Sequence, residues 1–397
     1  MRLLLLNQFY PPDVAPTGRY LHNLARELVS RGHQVDVLCS RGRYDDGAPV
    51  APGELDGVRI ERVAGLAAGS GSLLRRGAGF GWFLVSAAAR ARRLPRPDLI
   101  LSLTTPPYVG LLARLLASWR GGRHAHWVMD VYPDVLAAHG LVRRGGLAWR
   151  ALSALARLSL RESRLVVALG PEMKRSLAAC APPEALRALP LWAPFEPSAE
   201  PRSTARRQAL GWGEDELVLL YSGNLGRSHL LGEFLEAARR LGPGGPRWVF
   251  AGGGPQRATV ESFRARHPEA RVECRPYVDD GELREALAAG DVHLASLAPA
   301  FSGVVVPSKL QAAFALGRPL LFVGPRACEA GRWLEESGGG WLVEPGDVEG
   351  LLHALAQAGD AAQRHSRGQS ALDFARRTFD PRQGVAQLAD WLEQAAR

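Results

Sequence analysis

The sequence predicts an α/β protein made of two Rossmann-like domains that face each other across a cleft. Strand-like and helix-like segments alternate along the chain, and a proline-rich stretch near the middle interrupts this alternation before it restarts. Alternating β and α segments build a mostly parallel sheet covered by helices. Two such domains of similar size form a cleft, which is the usual place for a ligand. The 397 residues are long enough to give both domains sizeable cores.

The first domain is predicted to span residues 1–190. The segment RLLLLN reads as a buried strand, and the helix after it places Tyr20, Leu24 and Leu28 on one face before Gly32 ends it. The later strands of this domain are predicted at HQVDVLCS, VRIERVA, DLILSL, AHWVMD and RLVVALG. Helices are predicted between them, for example at YVGLLARLLASW and LAWRALSALARLSLRES.

A proline-rich segment, residues 191–204, is predicted to be a linker because it lacks periodicity. The βα pattern then restarts and defines a second domain over residues 205–378, with strands at LVLLYSG, RWVFAGG, VECRPYV, VHLASLA, PLLFVGP and WLV. The last segment, 379–397, is helical but has no strand left to pair with. We expect it to cross back onto the first domain.

The charge of the chain is unevenly distributed. Residues 1–200 contain 26 Lys and Arg against 16 Asp and Glu, whereas the remainder is nearly neutral. A basic half implies an anionic partner, such as lipid headgroups, a lipid diphosphate or nucleic acid. The basic residues are dispersed and form no known nucleic-acid module, which makes nucleic acid the weakest of these. Two segments, FGWFLVSAAARARRL and LAWRALSALARLSLR, mix Trp, Leu and Arg as interfacial helices do, although ordinary core helices explain them equally well.

The opening of the chain and its cysteines indicate a cytoplasmic protein. The apolar run Leu3–Leu6 is too short for the core of a signal peptide, and no run of about 18 apolar residues could span a membrane. The four cysteines are scattered, which argues against a disulfide framework and against a zinc site. We therefore expect a cytoplasmic protein, with peripheral binding at the inner face of the cytoplasmic membrane as an option.

The second domain carries the sharper candidate site. In YSGNLGRSHLLGEF a strand, a Gly-rich turn and a helix start follow one another, so that Asn224 and Arg227 lie where phosphate oxygens bind. Downstream, Ser308 and Lys309 combine a hydroxyl, a helix start and an ammonium group. Lys309 is one of only two lysines in an Arg-rich chain. The structural alternatives are an ordinary turn with a surface Arg227, and a helix cap at Ser308 beside a solvated Lys309.

A nucleobase site is predicted in the same domain. RPYVDDGEL ends a strand with Tyr277, whose ring could form one wall of a base pocket while the backbone of Val278 reads the edge of the base. The alternative is that Tyr277 is half-buried packing. The three glycines of AGGGP, residues 251–255, permit a ligand or a neighbouring loop to approach closely.

The first domain holds candidates for the catalytic acid and for a further anion contact. Asp130 follows a buried strand, and a carboxylate at the carboxyl end of a parallel strand faces the crevice. Asp134 is the second candidate, and the alternative is that Asp130 ties down its own loop. Gly18 lies at a helix start, where amides bind anions, unless Thr17 simply caps that helix. Of the histidines, His126 and His139 are the ones of interest. No DxD motif is present, so neither a metal nor another cofactor is expected.

Taken in order, these motifs resemble family-4 glycosyltransferases of the GT-B fold, in the branch of exopolysaccharide, colanic-acid-type and O-antigen assembly. The matching pieces are LLLLNQFYPPDVAPTGRY, MDVYPDV, YSGNLGRSH, FAGGGP and VVPSKLQAAFALGRPLLFVGP. The resemblance implies a retaining transfer of a sugar from a nucleoside diphosphate sugar to an acceptor, commonly a saccharide linked to polyprenyl diphosphate. We expect a hexosyl-type transfer, and one that is independent of metal because no DxD motif is present. The resemblance also implies diphosphate contacts by Arg227, Lys309 and Gly18, and donor-sugar contacts by Ser302 and Gly303.

One departure from the family pattern concerns two acids. Many relatives carry two glutamates eight residues apart, which contact the donor sugar and the ribose, whereas Val304 and Ala312 occupy the corresponding positions here. This puts in doubt the usual recognition of the donor. Two other functions remain open: a GT-B-like sugar-nucleotide 2-epimerase, which needs no acceptor, and a catalytically silent nucleotide-sugar-binding partner subunit.

Overall fold

The computed structural model describes residues 1–13, 15–42, 48–64 and 73–397. The chain forms two compact units, of which the first contains Met1–Pro190 and Gln383–Arg397 and the second contains Leu191–Arg382. Within the described residues each unit is built on one sheet, and all strand pairs but one are parallel. The predicted fold class, α/β with two parallel-sheet domains, is therefore confirmed.

The first unit contains, within the described residues, one sheet of eight strands. These strands are β1 Arg2–Leu6, β2 Gln34–Ser40, β3 Gly53–Leu55, β4 Val58–Val63, β5 Leu99–Ser102, β6 Arg123–Trp127, β7 Leu165–Ala168 and β8 Leu186–Ala188. Their spatial order is β3-β4-β2-β1-β5-β6-β7-β8, and β3 alone is antiparallel to its neighbour. The helices of this unit are α1 Pro16–Ser30, α2 Leu73–Ala91, α3 Val109–Arg120, α4 Asp134–Ala138, α5 Leu147–Leu160 and α6 Pro171–Leu177.

The second unit repeats this design with six strands in the described chain. They are β9 Val218–Ser222, β10 Arg247–Ala251, β11 Val272–Arg275, β12 Val292–Ser296, β13 Leu320–Val323 and β14 Gly340–Val343, in the spatial order β11-β10-β9-β12-β13-β14. The helices of this unit are α7 Thr204–Ala209, α8 Gly232–Leu241, α9 Arg257–Arg266, α10 Leu283–Ala288, α11 Lys309–Ala315, α12 Glu329–Ser337, α13 Val348–Gly359 and α14 Ala361–Thr378. The last helix, α15 Pro381–Ala396, lies almost wholly in the first unit.

Both sheets reverse their direction of winding at one point, and this positions the candidate sites. The second sheet has the Rossmann order 3-2-1-4-5-6, in which the reversal falls between the first and fourth strands. That point lies between β9 and β12 in the second unit and between β1 and β5 in the first. Ligands of open α/β sheets bind outside the carboxyl ends of strands at such a reversal. A ligand site is therefore expected in the loops after these four strands.

The strands and helices follow from simple apolar patterns. Leu3–Leu6 is buried throughout because β1 pairs with β2 on one side and with β5 on the other, which is typical of a central parallel strand. In α1, Leu21, Leu24 and Leu28 recur at helical spacing and are all fully buried. Full burial of each such leucine contributes about 1.5–3 kcal/mol. These elements therefore form where the sequence predicts them.

The ends of the second unit differ from the predicted boundaries. Residues 191–204, predicted as a linker, pack on the second unit: the side chain of Trp192 is fully buried, and the amide of Ser198 donates to the carbonyl of Ala315 at 2.9 Å. The sequence did not indicate this packing, because the apolar side chains between the prolines follow no helical or strand periodicity. The unit also extends to Arg382 rather than to residue 378.

The predicted return of the C-terminal helix to the first domain is confirmed. From residue 383 onward, α15 belongs to the first unit. Arg31 Nη1 lies 2.6 Å from Asp390 Oδ1, and His33 Nε2 lies 2.8 Å from Glu393 Oε1. These ion pairs hold the helix beside the end of α1. Among the described residues, no helix has both the length and the apolar character required to cross a membrane.

Candidate functional site

Asp130 lies at the carboxyl end of the first sheet, just after β6. The amides of Met129 and Asp130 both donate to Thr104 Oγ1 at 3.2 Å, so a hydroxyl from the loop after β5 holds this loop in place. The structural alternative for Asp130, that its carboxylate ties down the loop, is therefore wrong. Within the described chain, its carboxylate has no hydrogen-bond or ion-pair partner. Desolvation raises the pKa of Asp130 to about 6.

Two tyrosines and a second carboxylate lie beside this loop. The ring centroids of Tyr108 and Tyr132 are 6.0 Å apart, and burial, followed by the charge of Asp134, raises the pKa of Tyr108 to about 12. Asp134 Oδ1 forms an ion pair with Arg144 Nη2 at 3.3 Å, although it accepts no hydrogen bond from the described residues. Asp130, rather than Asp134, is thus the acid that remains available to a ligand hydroxyl.

Gly18 is buried in the first turn of α1 for a packing reason. A Cβ at this position would lie 3.0 Å from the carbonyl oxygen of Phe9 and 3.1 Å from Tyr10 Cα, so only glycine lets the loop after β1 rest on the helix. The amide of Gly18 donates to the carbonyl of Ala15 at 3.0 Å. Thr17 is not the helix cap, because that position falls on Ala15. The diphosphate contact of Gly18 stays a prediction.

The two histidines of interest, His126 and His139, both lie in the first unit. His126 is buried, its Nδ1 lies 2.5 Å from Ser102 Oγ, and burial lowers its pKa to about 3. It also fills the space beside Gly110, where any Cβ would come within 2.6 Å of its ring. His139 follows α4 directly. His126 is therefore a satisfied core residue.

Lys309 lies in a cradle formed by the two loops at the reversal point of the second sheet. Its Nζ is 4.6 Å from the ring centroid of Tyr221, which is on β9, and 3.4 Å from His229 Nε2, in the loop after β9. Gly223 leaves room for it, since a Cβ there would be 3.4 Å from Lys309 Cε. Desolvation lowers the pKa of Lys309 to about 7, and no carboxylate of the described residues pairs with it. The predicted alternative of a solvated lysine is therefore wrong.

His229 fixes the position of the Lys309 ammonium. Its Nδ1 lies 2.6 Å from the carbonyl oxygen of Ser296, and because a carbonyl only accepts, Nδ1 must carry the proton. The lone pair of Nε2 therefore faces Lys309 and accepts from it. Burial, followed by the charge of Lys309, lowers the pKa of His229 to about 3, so the imidazole is neutral. Ser296 also accepts from the amide of Leu230 through its Oγ, at 2.9 Å, which joins the loop to β12.

The other predicted phosphate ligands are exposed around this cradle. Arg227 and Asn224 are both exposed in the loop after β9, and Arg227 forms no ion pair with the described residues. Ser308 occupies the cap position of α11, but its side chain accepts no hydrogen bond there, so the capping alternative for Ser308 is also wrong. An arginine fork, a serine hydroxyl and the Lys309 ammonium therefore remain available in loops at one edge of the sheet.

The glycines after β10 allow neighbouring segments, rather than a ligand, to approach. A Cβ at Gly252 would lie 2.1 Å from the carbonyl oxygen of Gly223, and one at Gly254 would lie 2.3 Å from Asn224 Oδ1. A Cβ at Gly253 would lie 2.9 Å from the ring of Tyr277. These glycines thus set the path of the loop that carries Asn224 and Arg227.

A cavity of about 280 Å³ opens at the carboxyl ends of β9 and β10. Tyr277 and Val278 line it together with apolar residues that include Leu220 and Leu287. Tyr277 is 59% exposed, and its ring lies beside Gly253, so the alternative of half-buried packing stays open. The base contacts themselves stay predictions.

The positions of the two missing acids are apolar in the structure as well. Val304 is buried, and Ala312 packs on the apolar cluster that includes Leu220 and Leu287. Ser302 and Gly303 lie in the loop after β12, where Gly303 has a φ of +67°. The donor-sugar contacts assigned to Ser302 and Gly303 stay predictions.

Sequence reasoning missed three members of these sites, namely Thr104, Tyr221 and His229. His229 lies in the same Gly-rich segment as Arg227, and its closeness to that loop was the one signal in the sequence. Among the described residues, no three His, Cys, Asp or Glu side chains group as a metal site requires.

Comparison with known families shows which family this chain belongs to. Residues 17–192 match the model of the glycosyl transferase 4-like domain, and residues 216–360 match that of glycosyl transferases group 1. The chain belongs to the family-4 glycosyltransferases. A relative from Escherichia coli (strain K12), named colanic acid biosynthesis glycosyl transferase WcaI, is 26% identical to this glycosyltransferase over 96% of this chain and 97% of its own length. A Pseudomonas aeruginosa glycosyltransferase, WbjE, is 27% identical over 69% and 68%.

Solved structures confirm the fold of this glycosyltransferase. Sucrose-phosphate synthase from Thermosynechococcus elongatus has a TM-score of 0.80 at 16% identity and covers 99% of this chain and 98% of its own. Anabaena HepE in complex with UDP-glucose has a TM-score of 0.71 at 16% identity, over 99% and 100%. WaaG, a glycosyltransferase involved in lipopolysaccharide biosynthesis, has a TM-score of 0.71 at 18% identity, over 98% and 99%. Identities this low show the shared fold alone.

Proposed function

We propose that this glycosyltransferase moves a hexosyl group from a nucleoside diphosphate sugar to a saccharide acceptor, with retention and without a metal. The observation that carries the proposal is the Lys309 ammonium, which is desolvated, bound by a neutral imidazole and an aromatic ring, and unpaired with any carboxylate of the described residues. A charge that is largely withdrawn from water needs a counter-charge. The diphosphate of a donor supplies it.

The leaving diphosphate is held by fixed cations in this proposal. Arg227 presents a planar fork that matches phosphate oxygens, Lys309 presents a point charge, and Asn224 and Ser308 add hydrogen bonds. Positive groups aimed at the place where charge develops lower the barrier, and they take the part that a divalent cation plays elsewhere. Gly18 of the first unit is the further diphosphate contact that we propose.

The nucleoside occupies the cavity beside Tyr277. Its volume of about 280 Å³ and its mostly apolar lining suit a base with part of its ribose, while the Tyr277 ring supplies a face for stacking. The Val278 backbone then reads the base edge. The complex of HepE with UDP-glucose, a protein of the same fold, supports a nucleoside diphosphate sugar as the donor class.

The acceptor binds the first unit, where Asp130 accepts a hydrogen bond from its reacting hydroxyl. The bond from the anomeric carbon to the diphosphate oxygen breaks, and a bond from the same face to the acceptor oxygen forms. The acceptor proton passes to the departing phosphate, so Asp130 orients the hydroxyl without keeping its proton. The names of WcaI and WaaG support an acceptor in cell-surface polysaccharide assembly, and we propose one linked to polyprenyl diphosphate.

We also propose that the first unit docks on the anionic inner face of the cytoplasmic membrane. α3 packs against both α2 and α5, and these helices expose large apolar side chains, including Trp82 (56%), Leu115 (62%) and Trp119 (59%). Arg92 lies over the ring of Trp119 at 4.7 Å, so basic and apolar groups alternate as they do in interfacial helices. Co-sedimentation with vesicles that does not respond to anionic lipid or to salt would contradict this docking.

The donor site is tested by calorimetric titration with UDP, GDP, ADP and CMP. In the proposed site, Lys309→Met weakens the best nucleoside diphosphate by about 10–100-fold, which is the value of one charged hydrogen bond. The matched control is Lys174→Met, which removes the other lysine of the chain, exposed on α6, and leaves affinity within about twofold. Equal binding by both variants would overturn the assignment. Epimerisation of the donor in the absence of acceptor, followed by NMR, would favour the epimerase instead.

A further inference from the structure

A second basic site lies at the opposite edge of the first unit's sheet. A cavity of about 250 Å³ there is lined by Arg123, Arg164, Arg187 and Arg397 and by residues of α15 that include Trp391. Arg123 begins β6, Arg164 directly precedes β7, and Arg187 lies on β8. The cavity is therefore at the end where these parallel strands start, whereas Asp130 follows the end where β6 stops. It is not part of the candidate site described above.

The four guanidinium groups of this cavity lack a side-chain counter-charge among the described residues. Within the described chain, none of them forms an ion pair with a carboxylate. Of the acids near them in the sequence, Glu162 lies 3.3 Å from Arg114 and Glu393 lies 2.8 Å from His33, while Glu184 is exposed and forms no ion pair with the described residues. Other arginines of the same unit are paired, such as Arg59, whose Nε is 2.8 Å from Asp36. The four differ from other arginines of the unit that are unpaired in the described chain, such as Arg150 and Arg157, because they line one cavity.

Two of the four side chains are held in fixed positions. Arg123 donates through Nη1 to the carbonyl of Ala396, and the Arg187 guanidinium lies 5.2 Å from the ring centroid of Trp391. A guanidinium has five N–H donors, so these contacts leave most of them available. If the arginines served only to cap the end of α15, one of them, Arg123, would be sufficient. The remaining three, around a cavity, call for a different explanation.

We propose that this cavity binds the phosphate or diphosphate group of a ligand other than the donor. Arginine forks match phosphate oxygens with paired hydrogen bonds, and a phosphate carries up to two negative charges where a carboxylate carries one. Four cations that line one cavity repel one another, and an anion with several charges relieves that repulsion. The volume of about 250 Å³ accommodates a diphosphate with part of the group that bears it.

The first experiment titrates inorganic diphosphate into the full chain at low ionic strength. A Lys309→Met background weakens the donor site, so the remaining binding reports on the cavity. Adding Arg164→Gln and Arg187→Gln lowers the affinity for diphosphate by at least about tenfold. The matched control adds Arg264→Gln and Arg266→Gln, two exposed arginines of α9 that line neither cavity and lie outside the helices proposed to dock on the membrane, and changes it by less than about twofold.

Two further measurements keep the proposal open to refutation. Arg164→Gln alone removes a side chain with no described contact, so it folds normally and still weakens diphosphate binding. Vesicles of phosphatidate in phosphatidylcholine separate the sources of the phosphate: binding of free diphosphate indicates a soluble ligand, and binding of vesicles alone indicates a lipid headgroup. Either result supports the site when the Arg164 and Arg187 substitutions abolish it. If neither probe responds to them more than to the control pair, the proposal is wrong, whatever the donor site does.

Discussion

The two units have the same sheet design but leave opposite charges unpaired at the same edge. In the first unit, the loop after β6 presents the Asp130 carboxylate, while the amides of that loop are satisfied by Thr104. In the second, the loops after β9 and β12 present the Lys309 ammonium, which is held by a neutral His229. Both groups have pKa values shifted toward neutrality by desolvation.

This difference shows how two similar sheets support different chemistry. Strand order places loops at the reversal point, but the charge left without a partner determines what can bind there. An unpaired carboxylate suits a neutral hydroxyl donor such as a sugar, whereas an unpaired ammonium suits a phosphate. We therefore propose that the acceptor binds the first unit and the donor diphosphate the second. The following predictions test this assignment.

The largest effect is expected for Asp130→Asn. An amide cannot accept from the acceptor hydroxyl as strongly as a carboxylate does, so we expect kcat/KM to fall about 10²-fold. In the natural protein, activity should rise as pH increases through about 6, because the Asp130 carboxylate acts only when it is ionised. The variant should lose this rise, and its affinity for the nucleoside diphosphate should stay unchanged.

Asp134→Asn is the matched control for that measurement. This substitution also replaces a carboxylate by an amide in the segment that follows β6, but the Asp134 carboxylate already forms an ion pair with Arg144. We expect a smaller loss of activity and a pH profile that still rises near 6. If Asp134→Asn removed that rise and Asp130→Asn left it intact, the roles assigned to the two carboxylates would have to be exchanged.

The sequence predicts most of the fold because its signals are local. Apolar runs such as Leu3–Leu6 and the helical spacing of Leu21, Leu24 and Leu28 are visible within one segment. The packing of residues 191–204 on the second unit was not visible in the sequence, because Trp192 and its neighbours contact distant residues, which no local pattern reveals. The local sequence therefore predicts helices and strands well, but it predicts packing between distant residues poorly.

The candidate sites were predicted only in part for the same reason. Lys309, Arg227 and Asp130 are recognisable from their positions after strands. The pairing of Lys309 with His229 joins residues 80 positions apart, and the contact of Thr104 with Asp130 joins residues 26 apart. The arginine cavity depends on the starts of three strands that become neighbours only in the sheet. Groups of residues from distant parts of the chain can be recognised only once the topology is known.

A smaller effect is expected for His229→Leu, which removes the acceptor that faces the Lys309 ammonium. Without it, the pKa of Lys309 should fall further, and at pH 7.5 fewer molecules would carry the charge that binds phosphate. We expect the affinity for the nucleoside diphosphate to drop about tenfold, with the loss recovered as pH is lowered. His229→Gln, which keeps an acceptor oxygen, should restore most of the affinity. A loss that is the same at every pH in both variants would indicate a purely structural role.

The smallest effect concerns stability, and it distinguishes an unpaired cation from an ordinary buried side chain. Lys309→Met removes a desolvated charge, so the free energy of unfolding without ligand should rise by about 1–2 kcal/mol near pH 7, a value reduced for partial exposure. The pKa of Lys309 falls from 10.5 unfolded to about 7 folded, so between these values the unfolded chain binds the extra proton. The stability of the natural protein should therefore increase with pH across this window relative to the variant. Chemical denaturation at pH 7 and pH 9 measures the difference, and a Lys309→Met protein less stable at pH 7 would mean that the ammonium is already compensated within the second unit.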